Sequence, residues 1–211
     1  MRTRIKVCGV TRLDDALRAA ELGVDALGLV FWTGSPRCVS LRNATQIAAA
    51  LPPFVAIVGV FVNQPLDEIR SVASLVGLSA IQLHGDEAPA TWGRVPGRCI
   101  RAIGVGAGFD AAAVAAWPPE VWPLLDAHDQ ARRGGTGRAV DWDVAAAVSR
   151  ARRIILAGGL DASNIREAVA RVRPFAVDVS SGVEREPGIK DPDRLRAFVE
   201  GVAAADAVQV P

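Results

Sequence analysis

Residues 4–31, RIKVCGVTRLDDALRAAELGVDALGLVF, contain a complete strand–helix–strand unit. Arg4 to Cys8 alternates as a short strand does, Leu13 to Leu22 spaces its apolar residues along one helical face, and Ala26 to Phe31 is a second β-rich run. Two strands joined through a helix predict a parallel pair. The same alternation continues outward to the end of the chain. Further strands are expected at Val55 to Val62, Ala80 to His84, Cys99 to Ile103, Trp122 to Asp126, Ile154 to Ala157 and Ala176 to Ser180. Helices are expected at Ala44 to Leu51, Leu66 to Val76, Ala111 to Trp117, Val144 to Arg150, Asn164 to Val172 and Asp193 to Ala204, with a poorly marked one near Glu87 to Trp92. Eight such units in 211 residues predict an α/β chain forming one (β/α)8 TIM-barrel domain over residues 1–211. An open, doubly wound sheet is the runner-up.

Composition narrows the function. Half of the residues are hydrophobic, and 24 basic side chains face 23 acidic ones. That balance supports a sizeable core and provides no electrostatic footprint for nucleic acid or an anionic membrane. Small molecules, or a second copy of the chain, are the expected partners, so the protein is a monomer or a homodimer. The basic start leads into only a short apolar strand, which suggests neither a signal peptide nor a transmembrane segment and implies a cytoplasmic protein. Cys8, Cys38 and Cys99 lack metal-ligand spacing and read as free thiols. The tryptophans have no common spacing, so packing is their default reading.

Strand parity points to a site. With Ile5, Val7, Ile81, Leu83, Val177 and Val179 facing the helices, the inward positions are Lys6 and Cys8, Gln82 and His84, Leu124 and Asp126, and Asp178 and Ser180, with Arg101 a further candidate. Ionisable groups inside a barrel must be paired or functional, and Lys6 with Asp178 reads first as a buried structural ion pair. Residues at the carboxyl ends of barrel strands line the catalytic mouth. Gly158-Gly159 after the seventh strand and Ser181-Gly182 after the eighth suit a phosphate, because glycine lets amides approach an anion and a short helix start aims N–H groups at it. Gly134-Gly135-Thr136-Gly137 lies in a long loop that reads as a lid or clamp, or as a plain surface loop.

The motifs Lys6-Val7-Cys8-Gly9-Val10-Thr11, Ser35-Pro36-Arg37, Gly59-Val60-Phe61-Val62-Asn63, Gln82-Leu83-His84-Gly85, Leu125-Asp126-Ala127, Gly134 to Gly137, Leu156 to Leu160 and Val177 to Glu184 occur in that order. Together they closely resemble the phosphoribosylanthranilate isomerase family, from the first strand to the last. Val10 and Trp32 depart from the commonest pattern without removing a chemical group. The resemblance implies an Amadori rearrangement in tryptophan biosynthesis on a small phosphorylated substrate, with no metal or organic cofactor. It implies Cys8 as general base and Asp126 as general acid; substrate binding is expected, from their chemistry and position, of Arg37, His84, Gly135, Gly158, Gly159, Ser181 and Gly182.

Physical chemistry sets conditions on those roles. A thiol acts as a base once it is thiolate, and amide-rich turns are expected to lower the Cys8 pKa; a carboxyl donates a proton when desolvation keeps it protonated. Arg37 is expected to grip a carboxylate, with a solvated loop arginine as the plain alternative. His84 reads equally as a ligand or a satisfied structural histidine. Two other functions fit the fold: a dual-substrate isomerase also serving histidine biosynthesis, and a non-catalytic phosphate-ligand barrel. The first usually carries two aspartates and a half-barrel repeat, which are not evident here. The second is disfavoured by Cys8, Asp126 and both phosphate clusters. A metal-dependent epimerase or aldolase is disfavoured by there being just two histidines, neither at metal-ligand spacing with a second one.

Overall fold

The structure, a computed structural model, describes residues 2–106, 108–127 and 141–208. Eight parallel strands close into a barrel in sequence order: β1 (Arg4–Cys8), β2 (Ala26–Val30), β3 (Ala56–Phe61), β4 (Ala80–Leu83), β5 (Arg98–Val105), β6 (Val121–Ala127), β7 (Ile155–Leu156) and β8 (Ala176–Val179). The helices between and after them are α1 (Leu13–Glu21), α2 (Leu41–Ala50), α3 (Leu66–Val76), α4 (Pro89–Trp92), α5 (Ala111–Ala115), α6 (Trp142–Ala151), α7 (Ile165–Val172) and α8 (Pro192–Val208). The barrel, not the open sheet, is therefore the fold. Among the described residues, no helix is long and apolar enough to cross a membrane.

Where element ends differ from the sequence expectation, caps explain several of them. Ser40 accepts a hydrogen bond from the Asn43 amide at 3.2 Å, so α2 begins at Leu41 rather than Ala44. Asp141 does the same for α6 through Asp143 and Val144. The short helix start expected after the eighth strand is present, but the hairpin that follows it has no forerunner in the sequence reading. After β8 a turn of 3-10 helix, Ser181–Val183, leads into an antiparallel hairpin of β9 (Glu184–Glu186) and β10 (Ile189–Lys190).

Strand alternation creates two apolar layers. Ile5, Val7, Ile81, Leu83, Leu125, Val177 and Val179 belong to the outer cluster, which includes helix residues such as Ala16, Ile47 and Phe198. Val58, Ala80, Ile100, Ala102, Leu124, Ile155, Ala157 and Ala176 fill the barrel interior. Trp122 and Phe175 pack with tilted rings beside that interior cluster at 4.7 Å between ring centroids, with the Arg4 guanidinium over Phe175. Parity fails at one position. Ile100 and Ala102 take the inward places on β5, so Arg101 points to the outer side, where it donates to the carbonyls of Leu83 and Gly85, pairs with Glu87 and lies over Trp92. It has no place in the mouth.

Leu124 and Leu125 are adjacent, both fully buried, and belong to different layers. Truncating either to alanine is expected to lower stability by about 2–5 kcal/mol in urea unfolding. A loss below about 1 kcal/mol at Leu124 would show that the barrel interior is not a packed core.

Candidate active site

The carboxyl ends of the strands surround a cavity of about 480 Å³, lined by Cys8, Arg37, His84, Asp126, Gly158, Gly159, Ser180 and Ser181 among others. Sequence parity had placed Cys8, His84, Asp126 and Ser180 there. Trp32 also lines this cavity, unlike Trp92 and Trp117, which pack against each other at 4.8 Å. The mouth opens above the apolar interior cluster, and its floor is polar: Lys6, Gln82 and Asp178 are all buried.

Cys8 ends β1 and is tightly framed. Its carbonyl accepts from the Lys190 ammonium at 2.6 Å and from the Ser180 hydroxyl at 3.1 Å. In the barrel register it stands opposite Gly28. Below it, Lys6 Nζ donates to both Asp178 oxygens at 2.9 Å, so the expected ion pair is present. The expectation of a lowered Cys8 pKa is overturned. Burial pushes the thiol above its ordinary value; Lys6 and Lys190 pull it down, but they do not cancel the burial, and Asp178 adds to the rise. Amide-rich turns were the wrong feature to weigh, because desolvation of the sulfur dominates.

Arg37 reaches the cavity, but its fork is not free. Nε donates to Glu184 Oε1 at 2.9 Å and Nη2 to Oε2 at 2.7 Å. That uses one edge of the guanidinium and leaves the Nη1/Nη2 edge, which retains donors for a second carboxylate. Glu184 also accepts from Lys190 Nζ at 2.8 Å. Burial opposes the Glu184 carboxylate, yet Arg37 and Lys190 hold its pKa below the usual value. Neither Glu184 nor Lys190 had received a role from sequence. The available signal was Pro187-Gly188, a turn pair between two short extended runs, which marks a hairpin able to return a lysine beside a glutamate.

Across the mouth, His84 connects two groups. Its Nδ1 lies 3.0 Å from the Gln82 amide nitrogen, and its Nε2 lies 3.6 Å from Asp126 Oδ2. With Gln82 donating, Nδ1 is the acceptor and the ring proton sits on Nε2, facing the carboxylate. The Asp126 and His84 side chains are 14% and 16% exposed, accessible from the cavity yet largely shielded.

The glycine and serine turns converge on the other side. Gly158 and Gly159 both have positive φ, 83° and 65°, a tight left-handed turn that L side chains resist. Gly182 approaches the neighbouring loop so closely that an added Cβ would collide with the Leu160 carbonyl and lie 3.0 Å from Asp161 Cβ. Gly159 and Ser181 line both the main cavity and a smaller cleft that also contains Gly182 and Arg194. Gly135, with the rest of Gly134 to Gly137, lies outside the described residues, as do His128 and Asp129.

Known proteins share this whole architecture. The family model for N-(5'-phosphoribosyl)anthranilate isomerase matches residues 5–201. The isomerase of that name from Citrifermentans bemidjiense is 49% identical over 197 residues, covering 93% of this chain and 95% of that one. The crystal structure of phosphoribosyl anthranilate isomerase from Thermotoga maritima is 40% identical, covers 96% of this chain and 99% of its own, and superposes with a TM-score of 0.89. A structure of such an isomerase in complex with reduced 1-(o-carboxyphenylamino)-1-deoxyribulose 5-phosphate matches with a TM-score of 0.85, at 40% identity and the same coverage.

The Glu184 network generates a pH prediction. A carboxylate with a depressed folded pKa adds stability that is present above its ordinary value of 4.5 and is lost as pH falls through the folded value. Wild type is therefore expected to resist urea better than Glu184→Gln at neutral pH, with the gap closing under acid below the ordinary carboxylate value. A gap independent of pH would remove the charge of Glu184 as its source.

Proposed function

We propose, from the premise that this chain belongs to the N-(5'-phosphoribosyl)anthranilate isomerase family, that Cys8 and Asp126 divide the proton transfers of the reaction. The reaction is the rearrangement of phosphoribosylanthranilate to 1-(2-carboxyphenylamino)-1-deoxyribulose 5-phosphate in tryptophan biosynthesis. The observation that carries the assignment of roles is that a thiol and a carboxyl from well-separated strands line one cavity.

Asp126 donates a proton to the furanose ring oxygen as the ring opens and the C1–N bond becomes a Schiff base. The iminium then acts as an electron sink, and Cys8 as thiolate removes the C2 proton to leave an enolamine. Proton gain at C1 and loss from the C2 hydroxyl complete the ketone. His84, held by Gln82, keeps its Nε2 proton toward Asp126. Arg37, oriented by Glu184 along one edge, presents the other edge to the anthranilate carboxylate. The substrate phosphate lies against the turns at Gly158-Gly159 and Ser181-Gly182, where backbone amides receive it. No step calls for a metal or an organic cofactor. Three free thiols and a biosynthetic step on a small metabolite suit the cytoplasm.

Loss of phosphoribosylanthranilate fluorescence, followed with and without excess chelator, tests the assignment. Asp126→Asn is expected to lower turnover about 100- to 10,000-fold, the range a general acid supplies, and Cys8→Ala to abolish it, while both still bind a product analogue. Normal turnover in either variant would remove that residue from the mechanism. Gly182→Ala is expected to raise KM far more than it lowers kcat, because the added methyl group parts the two phosphate-facing loops. An unchanged KM would place the phosphate elsewhere.

A further inference from the structure

The roles above leave Lys6, a buried cation in the floor of the mouth, without work. Lys6 is 3% exposed and has both Asp178 oxygens as partners, which satisfies it structurally. Its position, however, is not that of a simple seam pair. Lys6 and Cys8 are two residues apart on one strand and both point inward. They also pack over the same spot on β2: a Cβ built at Gly28 would meet Cys8 Sγ at 2.8 Å and Lys6 Cε at 3.1 Å. A glycine is required here because the two side-chain ends occupy the space that a side chain on β2 would fill.

We infer that Lys6 is a positioning residue for Cys8: its ammonium, anchored by Asp178 and seated with the sulfur over Gly28, stabilises the thiolate form of Cys8. The inference deepens the reading of Cys8 as the base and rests on it. Of the influences that favour the Cys8 thiolate, the Lys6 charge is the largest. Burial works against the ammonium, but Asp178 and Cys8 together hold Lys6 above its ordinary pKa, which favours its charged form. In a desolvated site this partner limits how far burial raises the thiol.

The other groups facing Cys8 do not replace Lys6. Asp178 acts in the opposite direction. Lys190 also favours the thiolate, but its three hydrogen bonds go to the Cys8 carbonyl, the Ser180 carbonyl and Glu184. The Arg37 guanidinium is taken up on one edge by Glu184, while Asp126 and His84 face each other. Lys6, whose side chain shares the space over Gly28 with the sulfur, is the stronger of the two cations that act on it. The Lys6–Asp178 pair thus has a second use: Asp178 holds the ammonium charged and aimed, and the ammonium holds the thiolate.

The test measures ionisation, not turnover. Iodoacetamide labelling of Cys8, resolved by peptide mass spectrometry, is followed from neutral to alkaline pH in wild type, in Lys6→Met/Asp178→Asn and in Gly28→Ala. The double variant removes both charges together and so strands neither one in the interior. Gly28→Ala keeps both charges but drives a methyl group between them and the sulfur. In both variants the midpoint of Cys8 labelling is expected to rise by about one unit or more, so that Cys8 labels at least about tenfold more slowly at neutral pH. Cys38 should label at the wild-type rate. A purely structural pair would change melting temperature and leave the midpoint alone. An unchanged or lowered midpoint in the folded double variant overturns the inference, and should that variant fail to fold, the Gly28→Ala midpoint decides in the same way. Turnover of Cys8→Ala separately tests the base: if that variant were active while the labelling midpoints moved, the mechanism would fail and the pairing would stand.

Discussion

Lys6 and Asp178 meet where the barrel closes, in register across β1 and β8 and 172 residues apart in sequence. With their side chains only 4% and 8% exposed, neither tolerates separation, since an unpaired charge there would cost about 3–5 kcal/mol. The contact therefore acts on register as much as on stability. Sliding β8 by one residue would turn Asp178 toward the helices and Val177 into the polar floor, stranding the lysine. With that register in place, Cys8 and Ser180 come to the mouth on adjacent strands, and the Ser180 hydroxyl can reach the Cys8 carbonyl.

Two different interiors are stacked within one barrel. The lower one is apolar, from Ala176 and Ile155 to Val58, and excludes water beneath the site. The upper one is polar, and the cations around Cys8 each have an acidic partner: Asp178 for buried Lys6, and Glu184 for buried Lys190 and half-buried Arg37. The hairpin after β8 makes the second group possible. It is held to the β1 side by Thr11, whose hydroxyl donates to the Gly188 carbonyl at 2.6 Å, and it carries Glu184 against Arg37 and Lys190 against the Cys8 carbonyl. Arg37 is thereby oriented by a residue 147 positions away.

Much of this was legible in the chain. Short β-branched runs between helically spaced stretches marked all eight strands, because strands buried on both faces read as brief apolar runs, and strand parity assigned Lys6, Cys8, Gln82, His84, Asp126, Asp178 and Ser180 to the interior. Helix starts were less legible where a polar cap precedes the apolar stripe, as at Ser40 and Asp141. Arg101 misled because β5 carries large or apolar residues at both parities, and only contact with Glu87 and Trp92 distinguishes its outer side.

The sequence by itself determined the fold class, the family and which polar side chains line the cavity, since periodicity and ordered motifs are local properties that survive without coordinates. Tertiary structure alone decided the states and partners of those residues. Whether Cys8 is raised or lowered depends on how much solvent the closed barrel removes and which ammonium groups it places nearby. Whether Arg37 has a free fork depends on a hairpin folded back from the far end of the chain. Both are sums over neighbours distant in sequence, and such sums acquire a sign only when β1 and β8 pair and the barrel shuts.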